Sequence, residues 1–217
     1  MSSTFDLLME FPLLMGVSRE KLAKVIGDIK LHFLKYQKSE KFIEIGQKCD
    51  DLTLLLSGTA LFQVYGPDGF LLTYTMTGPV AVGANYLFGL QPKYPFTAIA
   101  ATDISVLRIP KADYIKLLNQ DKVFLFSYLN SLALGSQNTQ SVYSRFALGS
   151  LRDKFRWIVE SIVPREAVNI SIRADESILC KYFNVDPAAL QNEISLLVQD
   201  GIAGRVSNML RLFNRDF

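Results

Sequence analysis

Few side chains in this 217-residue sequence could support covalent or metal-dependent chemistry. A hydrolase triad needs a histidine between a nucleophile and a carboxylate, and the chain contains a single histidine, His32. The two cysteines, Cys49 and Cys180, are far apart and lack the CxxC spacing of zinc and redox sites. No phosphate-binding P-loop is present. The sequence therefore predicts a protein that is not an enzyme and that holds no metal or other cofactor.

The segment VGANYLFGLQPKYPFTAIAATD, residues 82–103, is where we expect a small ligand, because it follows a series of predicted strands. Its only charged side chains are Lys93 and Asp103. A buried phosphate needs a cation beside it, because its desolvation is otherwise uncompensated. A phosphorylated ligand would therefore find few suitable partners here.

The composition is that of a globular protein, with 49% hydrophobic and 20% charged residues. No apolar run reaches the roughly 18–20 residues that cross a bilayer, and two unpaired cysteines favour a reducing cytoplasm. The net charge is +2, and the residues from 148 onward contain nine basic and nine acidic side chains. A small DNA-binding domain usually carries a basic excess, so charge alone does not indicate a nucleic-acid partner.

Short strands are predicted between about residues 31 and 109, after an amphipathic helix at 18–29. The β-rich segments are FIEI, LTLLLSG, TALFQVY, FLLTYTM, FTAIAAT and ISVLRI. GPDG, residues 66–69, predicts a hairpin between two of them. Several short strands at this spacing favour an antiparallel barrel or jelly roll.

Helices are predicted to follow, beginning at Pro110 and continuing with a long helix from about Lys122 to Phe146. Side chains at alternating spacings of four and three residues form a coiled-coil seam along this helix. The seam residues are Leu125, Leu129, Leu132, Ser136, Thr139, Tyr143 and Phe146. Two interpretations stay open: the seam pairs with a second copy of the chain, or the helix packs on its own barrel.

The remaining residues begin with an amphipathic helix at 148–162 and change character after Pro164. They predict a short helix at 174–183, the turn NVD, and a second helix at 187–200 that Asp186 caps. IAGRV and MLRLFN, joined by SN, predict a β-hairpin. This order is typical of a winged helix-turn-helix, although a helical subdomain with a trailing hairpin fits it too.

Taken in order, these segments resemble the Crp/Fnr superfamily of bacterial transcription regulators. The residues that carry the resemblance are Phe11, Leu14, Gly46, LLLSGTALFQVYGPDGFLLTYTMTGP (54–79), Gly83, LFG (87–89), VLRIPKADYIKLL (106–118) and NVDPAALQNEISLLVQDGIAGR (184–205). The resemblance implies an α+β fold with an N-terminal antiparallel β-roll of the cyclic-nucleotide-binding type. It also implies a long dimerisation helix and a C-terminal winged helix-turn-helix. The expected domains are 1–118 for the β-roll with its flanking helices, 119–147 for the dimerisation helix and 148–217 for the DNA-binding domain.

Nucleotide-binding members of the superfamily carry a Gly-Glu pair and, further along, an Arg beside Ser or Thr. Their Glu accepts from the ribose hydroxyl, and their Arg pairs with the cyclic phosphate. In this sequence Gly83 is followed by Ala84, while Tyr94 and Pro95 occupy the places of the Arg and its neighbour. The acceptor and the cation are both missing, so we expect neither cyclic AMP nor cyclic GMP to be the ligand.

The degenerate pocket leaves two alternatives open. Its residues are Gly83, Ala84, Tyr86, Tyr94, Pro95 and Phe96. The aromatic members suit an apolar or aromatic effector. Alternatively, the same side chains fill the pocket, and the protein responds to no effector.

At the DNA-reading end, the resemblance implies base contacts from Ala188, Gln191 and Asn192. Gln and Asn can each make bidentate contacts to adenine, and Ala can touch a thymine methyl, so an A·T-rich half-site is expected. The expected phosphate contacts are Arg173, Lys181 and Arg205. The alternative is that Gln191 and Asn192 are merely a solvated face.

Together these features predict a homodimeric, cytoplasmic regulator of the Crp/Fnr type that binds double-stranded DNA and makes no contact with a membrane. RNA polymerase is a further partner that the resemblance implies. The alternative is an interaction module, or a sensor of a non-nucleotide effector, that has lost specific DNA binding. Neutral charge and a second helix without Lys or Arg between Asp186 and Gly201 favour that alternative.

Overall fold

The computed structural model describes residues 4–14 and 18–213, without the side chains of residues 4, 5, 7, 25 and 138–148. It has an α+β fold whose contacts divide the chain into two units. The first unit consists of residues 1–61 and 76–135, and the second of residues 62–75 and 136–217. The expected domain boundaries after residues 118 and 147 stay a prediction.

The first unit contains a roll of short antiparallel strands. These strands are β1 (His32–Tyr36), β2 (Lys41–Ile43), β3 (Asp51–Ser57), the start of β4 (Thr59–Tyr65), the end of β5 (Leu71–Thr77), β6 (Val80–Val82), β7 (Thr97–Ala100) and β8 (Ile104–Pro110). One sheet has the order β1-β8-β3-β6, and β4, β7 and β2 are neighbours in a second. Strand β3 is buried on both faces from Leu52 to Leu56, so it lies in the core. The expected antiparallel β-roll is confirmed.

Helices flank these strands: α1 (Thr4–Met9), α2 (Arg19–Gly27), α3 (Lys111–Gln120) and the first part of α4 (Lys122–Leu148). Pro110 ends β8 and precedes the first helical residue of α3; the expectation that it occupies the first helical position was wrong by one residue. Asp121 separates α3 from α4, because its carboxylate accepts from the Val123 N–H at 2.9 Å. Asp121 also pairs with Lys21 of α2, and this hydrogen bond lowers the pKa of the carboxyl.

The second unit is a winged helix-turn-helix. Its C-terminal elements are α5 (Leu151–Ile162), β9 (Val168–Arg173), α6 (Glu176–Phe183), α7 (Pro187–Gln199), β10 (Ala203–Val206) and β11 (Met209–Leu212). Asn184 adopts a left-handed conformation, with φ 53°, in the turn between α6 and α7. Asp186 caps α7 by accepting from the Ala189 N–H at 2.9 Å. The expected order of helix, turn, helix and hairpin is confirmed.

Strand β9 lies in a segment that the sequence pattern does not mark as a strand. It pairs antiparallel with β11 on one side and with β5 on the other, so the sheet order in this unit is β10-β11-β9-β5. Ile170 and Ile172 are buried, whereas Val168 and Asn169 are exposed. The Asn169 side chain donates to the Thr75 hydroxyl at 3.0 Å. The β4–β5 hairpin therefore joins the winged helix-turn-helix sheet through β5, which pairs with β9.

The tip of the same hairpin also packs on α6. The turn at residues 67–69 connects β4 to β5, with Asp68 at φ 55° and Gly69 at φ 86°. Phe70 follows it, is buried, and stacks on the Tyr182 ring with the ring centroids 6.2 Å apart. GPDG is thus a hairpin turn as expected, and the hairpin has a partner that the sequence did not indicate.

Among the residues that the structure describes, no helix is long and apolar enough to cross a membrane. In the same residues, no group of three or more His, Cys, Asp or Glu is arranged to hold a metal ion. The expected effector pocket, residues 82–96, lies in the first unit. The expected DNA contacts, within residues 173–205, lie in the second.

Candidate effector pocket and nucleic-acid interface

Gly83 lies at the centre of the expected effector pocket and contacts two aromatic rings. It has a left-handed backbone with φ 63°. A Cβ atom added there would lie 2.8 Å from Cε1 of Tyr94 and 3.3 Å from Cζ of Phe96. Tyr94 is 4% exposed and Phe96 is 5% exposed, and their ring centroids are 5.6 Å apart. The two rings therefore occupy the space directly beside the glycine.

The polar end of Tyr94 has partners inside the roll. Its hydroxyl lies 3.3 Å from the Thr53 hydroxyl. Burial raises the pKa of the Tyr94 hydroxyl, and a hydrogen bond with the Cys49 thiol raises it further. Burial likewise raises the pKa of Cys49, which is 1% exposed. The Tyr94 hydroxyl therefore stays protonated and is hydrogen-bonded inside the roll.

The other expected pocket residues surround the same rings. Ala84 and Tyr86 form a single turn of 3₁₀ helix after β6. The Tyr86 ring meets the Phe96 ring edge-on at 6.2 Å. Pro95 is exposed between the two buried aromatic side chains. The structure thus brings Gly83, Tyr86, Tyr94 and Phe96 together and leaves Pro95 at the surface.

A residue of α4 that the sequence did not single out contacts this turn. Tyr128 is buried, and its hydroxyl donates to the backbone carbonyl of Ala84 at 3.1 Å. Its ring packs edge-on against Tyr114 and Phe88. Burial raises the pKa of Tyr128 to about 12. The sequence feature that could have indicated Tyr128 is its position four residues after Phe124, because this spacing places both side chains on one face of the helix. Phe124 is also buried.

Arg108 is the second residue that the sequence did not single out. It lies opposite Thr53 in the β3–β8 register, and directly paired residues of antiparallel strands point to the same face. Its guanidinium donates to the carbonyl of Phe42 at 2.7 Å and to the Tyr36 hydroxyl at 3.3 Å. One terminal nitrogen of Arg108 is therefore hydrogen-bonded to the roll, whereas its buried Nε has no hydrogen-bond partner among the described residues.

The expected dimer seam on α4 is exposed where its side chains are described. Leu125 is 37% exposed and Leu129 is 46% exposed, while Leu132 is half-buried. Phe124 and Tyr128, on another face, are buried. The side chains of Tyr143 and Phe146 lie outside the described residues. The first half of α4 therefore packs on the first unit and still presents an apolar seam.

On α7, the described side chains divide into two faces. Leu190, Ile194 and Leu197 are buried. Four uncharged residues at positions 188, 192, 195 and 199 are exposed on another face, and their spacings of four, three and four residues place them along one stripe. These residues are Ala188, Asn192, Ser195 and Gln199. The stripe contains two of the three expected base-reading residues.

The acids of the α7 segment have partners within the same unit. Arg152 of α5 donates to Glu193 at 2.9 Å and pairs with Asp200 at 2.8 Å. These two hydrogen bonds raise the pKa of the arginine. Asp186 is the helix cap described above. The three acidic residues of this segment, Asp186, Glu193 and Asp200, therefore have partners in α5 and at the start of α7.

Gln191 and Arg205, two of the expected DNA contacts, bind each other. The Arg205 guanidinium donates to the side-chain oxygen of Gln191 at 2.8 Å and to Glu176 at 2.5 Å. It also donates to the Ser207 carbonyl at 3.3 Å. The other two expected phosphate contacts, Arg173 and Lys181, are exposed at the ends of β9 and α6.

A groove of about 520 Å³ lies between the first helix of the motif and the wing. Glu176 and Arg205 both line it. Its apolar lining residues include Ile172, Leu179, Ile194, Met209 and Leu210. The Glu176–Arg205 ion pair therefore lies at the junction of α6, α7 and β10.

Comparison with known proteins gives a family match over less than half of the chain. Residues 33–121 match the family model for the cyclic nucleotide-binding domain. No match was found among curated protein sequences.

Solved structures share the fold of the chain. The catabolite activator protein of Thermus thermophilus is 14% identical, with a TM-score of 0.56 and coverage of 93% of each chain. The c-di-GMP responsive global regulator CLP of Xanthomonas campestris is 15% identical, with a TM-score of 0.51 and coverage of 91% of this chain and 100% of its own. The sensor domain of the transcriptional regulator DNR of Pseudomonas aeruginosa is 17% identical, with a TM-score of 0.53, over 63% of this chain and 89% of its own. At identities of 14–17%, these likenesses show a shared fold.

Proposed function

Because residues 33–121 belong to the cyclic nucleotide-binding domain family and the chain has the fold of Crp/Fnr-type transcription regulators, we propose that this protein is a DNA-binding regulator that does not bind cyclic AMP. It acts in the cytoplasm as a homodimer on double-stranded DNA, with RNA polymerase as a further partner. The observation that carries the proposal is the packing of the Tyr94 ring on Gly83.

The pocket chemistry supports independence from cyclic nucleotides. A cyclic phosphate in this place would have to displace a ring that is 4% exposed. The ribose of the same nucleotide would then lie beside Ala84, whose methyl group accepts no hydrogen bond from a ribose hydroxyl. One terminal nitrogen of Arg108 already donates to the Phe42 carbonyl, which holds the guanidinium against the roll. Since an unpaired buried phosphate is strongly disfavoured, we expect no binding of cyclic AMP or cyclic GMP.

The exposed stripe of α7 supports DNA binding. A recognition helix reads base edges in the major groove with uncharged and charged side chains alike, and Asn can make a bidentate contact to adenine. Asn192 and Ala188 are exposed on the stripe. Arg173 and Lys181 are available for phosphates. Because these are few, the salt dependence of binding will be shallow.

A second candidate function is an interaction module that has lost specific DNA binding. Leu196 is 38% exposed and Val198 is 42% exposed on α7, on either side of the uncharged stripe. In addition, Gln191 is held by Arg205. These observations support contact with a protein partner through the same helix.

Selection of genomic fragments by the purified full-length protein at low salt, with and without cyclic AMP, tests the proposal. We expect a palindromic, A·T-rich motif that is recovered equally well in both conditions. Asn192→Ala should weaken binding to this motif, whereas Asn130→Ala, the same change at an exposed position of α4, should not. Recovery of no motif in either condition would favour the interaction module.

Calorimetric titration with cyclic AMP tests the pocket separately. We expect no heat of binding. Micromolar binding that Tyr94→Ala strengthens would show that the ring yields to the nucleotide, and it would overturn the proposed independence from cyclic AMP.

A further inference from the structure

Glu176 is the residue of the helix-turn-helix that the proposed function leaves unexplained. It lies in the first turn of α6 and pairs with Arg205 of β10 at 2.5 Å. Both side chains are partly exposed, at 42% and 39%. Neither side chain is needed to fill the core, so the pair is free to rearrange when a ligand approaches.

Three donor atoms of the Arg205 guanidinium are engaged at once. Its Nε donates to the Ser207 carbonyl, one terminal nitrogen donates to Gln191, and the other donates to Glu176. An arginine contacts phosphate through the same fork of N–H groups, often in a bidentate manner. To bind Arg205, a DNA phosphate would therefore have to displace the Glu176 carboxylate, which already neutralises the charge of the guanidinium.

Gln191 is constrained by the same arrangement. A guanidinium has donors and no acceptors, so the side-chain oxygen of Gln191 must face Arg205. A bidentate contact to adenine needs this oxygen to accept from N6 while the amide nitrogen donates to N7. The atom that adenine requires is thus the atom that Arg205 holds. Release of Arg205 would free a phosphate contact and would let the Gln191 side chain turn towards a base.

We propose that Glu176 restrains DNA binding by competing with a DNA phosphate for Arg205 and by holding Gln191 through that arginine. This inference rests on the proposed DNA-binding function. An exposed ion pair contributes little to stability, so the restraint is weak enough for DNA to overcome. Its effect is to lower affinity and to make binding less dependent on salt.

Glu176→Gln in the full-length protein tests the restraint by fluorescence anisotropy. The probe is a duplex of the selected motif, or a mixed-sequence duplex where no motif is recovered. We expect binding to tighten by about 3- to 10-fold at low salt, and the slope of log affinity against log salt to steepen by about 0.9, because one more phosphate is neutralised. The double variant Glu176→Gln, Arg205→Gln should lose both gains.

Glu166→Gln is the matched control. It removes the same charge at an exposed position before β9, outside α6, α7 and the wing. It should leave the salt slope unchanged, which separates loss of the Arg205 partner from a general change in net charge. Thermal unfolding of each variant shows whether the fold is retained.

The possible outcomes are distinct. The restraint is supported if Glu176→Gln binds DNA more tightly than the wild type, Glu166→Gln does not, and the gain disappears in the double variant with Arg205→Gln. The support is strongest where the wild type fails to bind. Equal binding by the wild type, Glu176→Gln and Glu166→Gln overturns the restraint and leaves the DNA-binding function intact. Failure of both the wild type and Glu176→Gln to bind any duplex overturns the proposed function itself and the restraint with it.

Discussion

At the scale of single residues, Gly83 combines a left-handed backbone with close contact to two aromatic rings. Its φ of 63° is in the left-handed region that favours glycine. The glycine also lets the rings of Tyr94 and Phe96 lie closer than any Cβ would allow. The same residue therefore has a backbone role and a packing role, and the second depends on the aromatic side chains that stand here.

Gly83→Ala should destabilise the protein more than Gly46→Ala. Both positions have positive φ, 63° and 80°, so both variants lose about 1–2 kcal/mol to backbone strain. A Cβ at Gly46 meets nothing within 4 Å, whereas one at Gly83 lies 2.8 Å from the Tyr94 ring. Overpacking should add about 1–3 kcal/mol at Gly83. Urea denaturation measures both; equal losses would mean that the ring does not pack on the glycine in solution.

The residue types of the pocket could be predicted from the sequence, but the state of the pocket could not. The resemblance to the superfamily predicts that Ala84 and Tyr94 stand where nucleotide-binding members have an acceptor and a cation. Whether the Tyr94 ring points into the roll depends on Thr53 and Cys49, which are distant in sequence. For the same reason, the pairing of Arg205 with Gln191 could not be predicted, since only the fold brings them together.

At the scale of elements, local signals predicted most helices and strands, because caps, turns and apolar periodicity lie within each segment. Asp186 and Pro187 at the start of α7, and Ser207 in the turn of the wing, are such signals. Strand β9 was missed because its inward residues, Ile170 and Ile172, are few and follow polar ones. Its strand conformation depends on pairing with both β11 and β5.

Phe70→Ala tests whether the β4–β5 hairpin supports the helix-turn-helix. Phe70 is 8% exposed and stacks on Tyr182 of α6. Truncation should cost about 3 kcal/mol, the range for a buried Phe, and lower the temperature of unfolding. Phe33→Ala is the control, because Phe33 is 53% exposed on β1, and it should cost less than about 1 kcal/mol. Similar small losses in both variants would mean that Phe70 does not pack on α6 in solution.

At the scale of the whole molecule, charge and symmetry bear on the mechanism together. The net charge of +2 provides little general attraction to DNA. A regulator of this kind would gain affinity from two half-sites held at a fixed spacing. That gain requires a dimer, and the described part of α4 offers a seam for one in Leu125 and Leu129. Weak individual contacts therefore make dimerisation the main determinant of DNA affinity in the proposed function.

Leu129→Glu should convert the proposed dimer to a monomer, because it places a charge in the middle of the apolar seam, where pairing would bury it. Leu134→Glu makes the same change on the same helix, at a position that is 58% exposed and off the seam, and it should leave the dimer intact. Sedimentation velocity distinguishes the two states, and the same samples should show loss of DNA binding for Leu129→Glu alone. A wild-type monomer, or a dimer that survives Leu129→Glu, would remove the seam from the mechanism and leave α4 as a helix that only packs on its own β-roll.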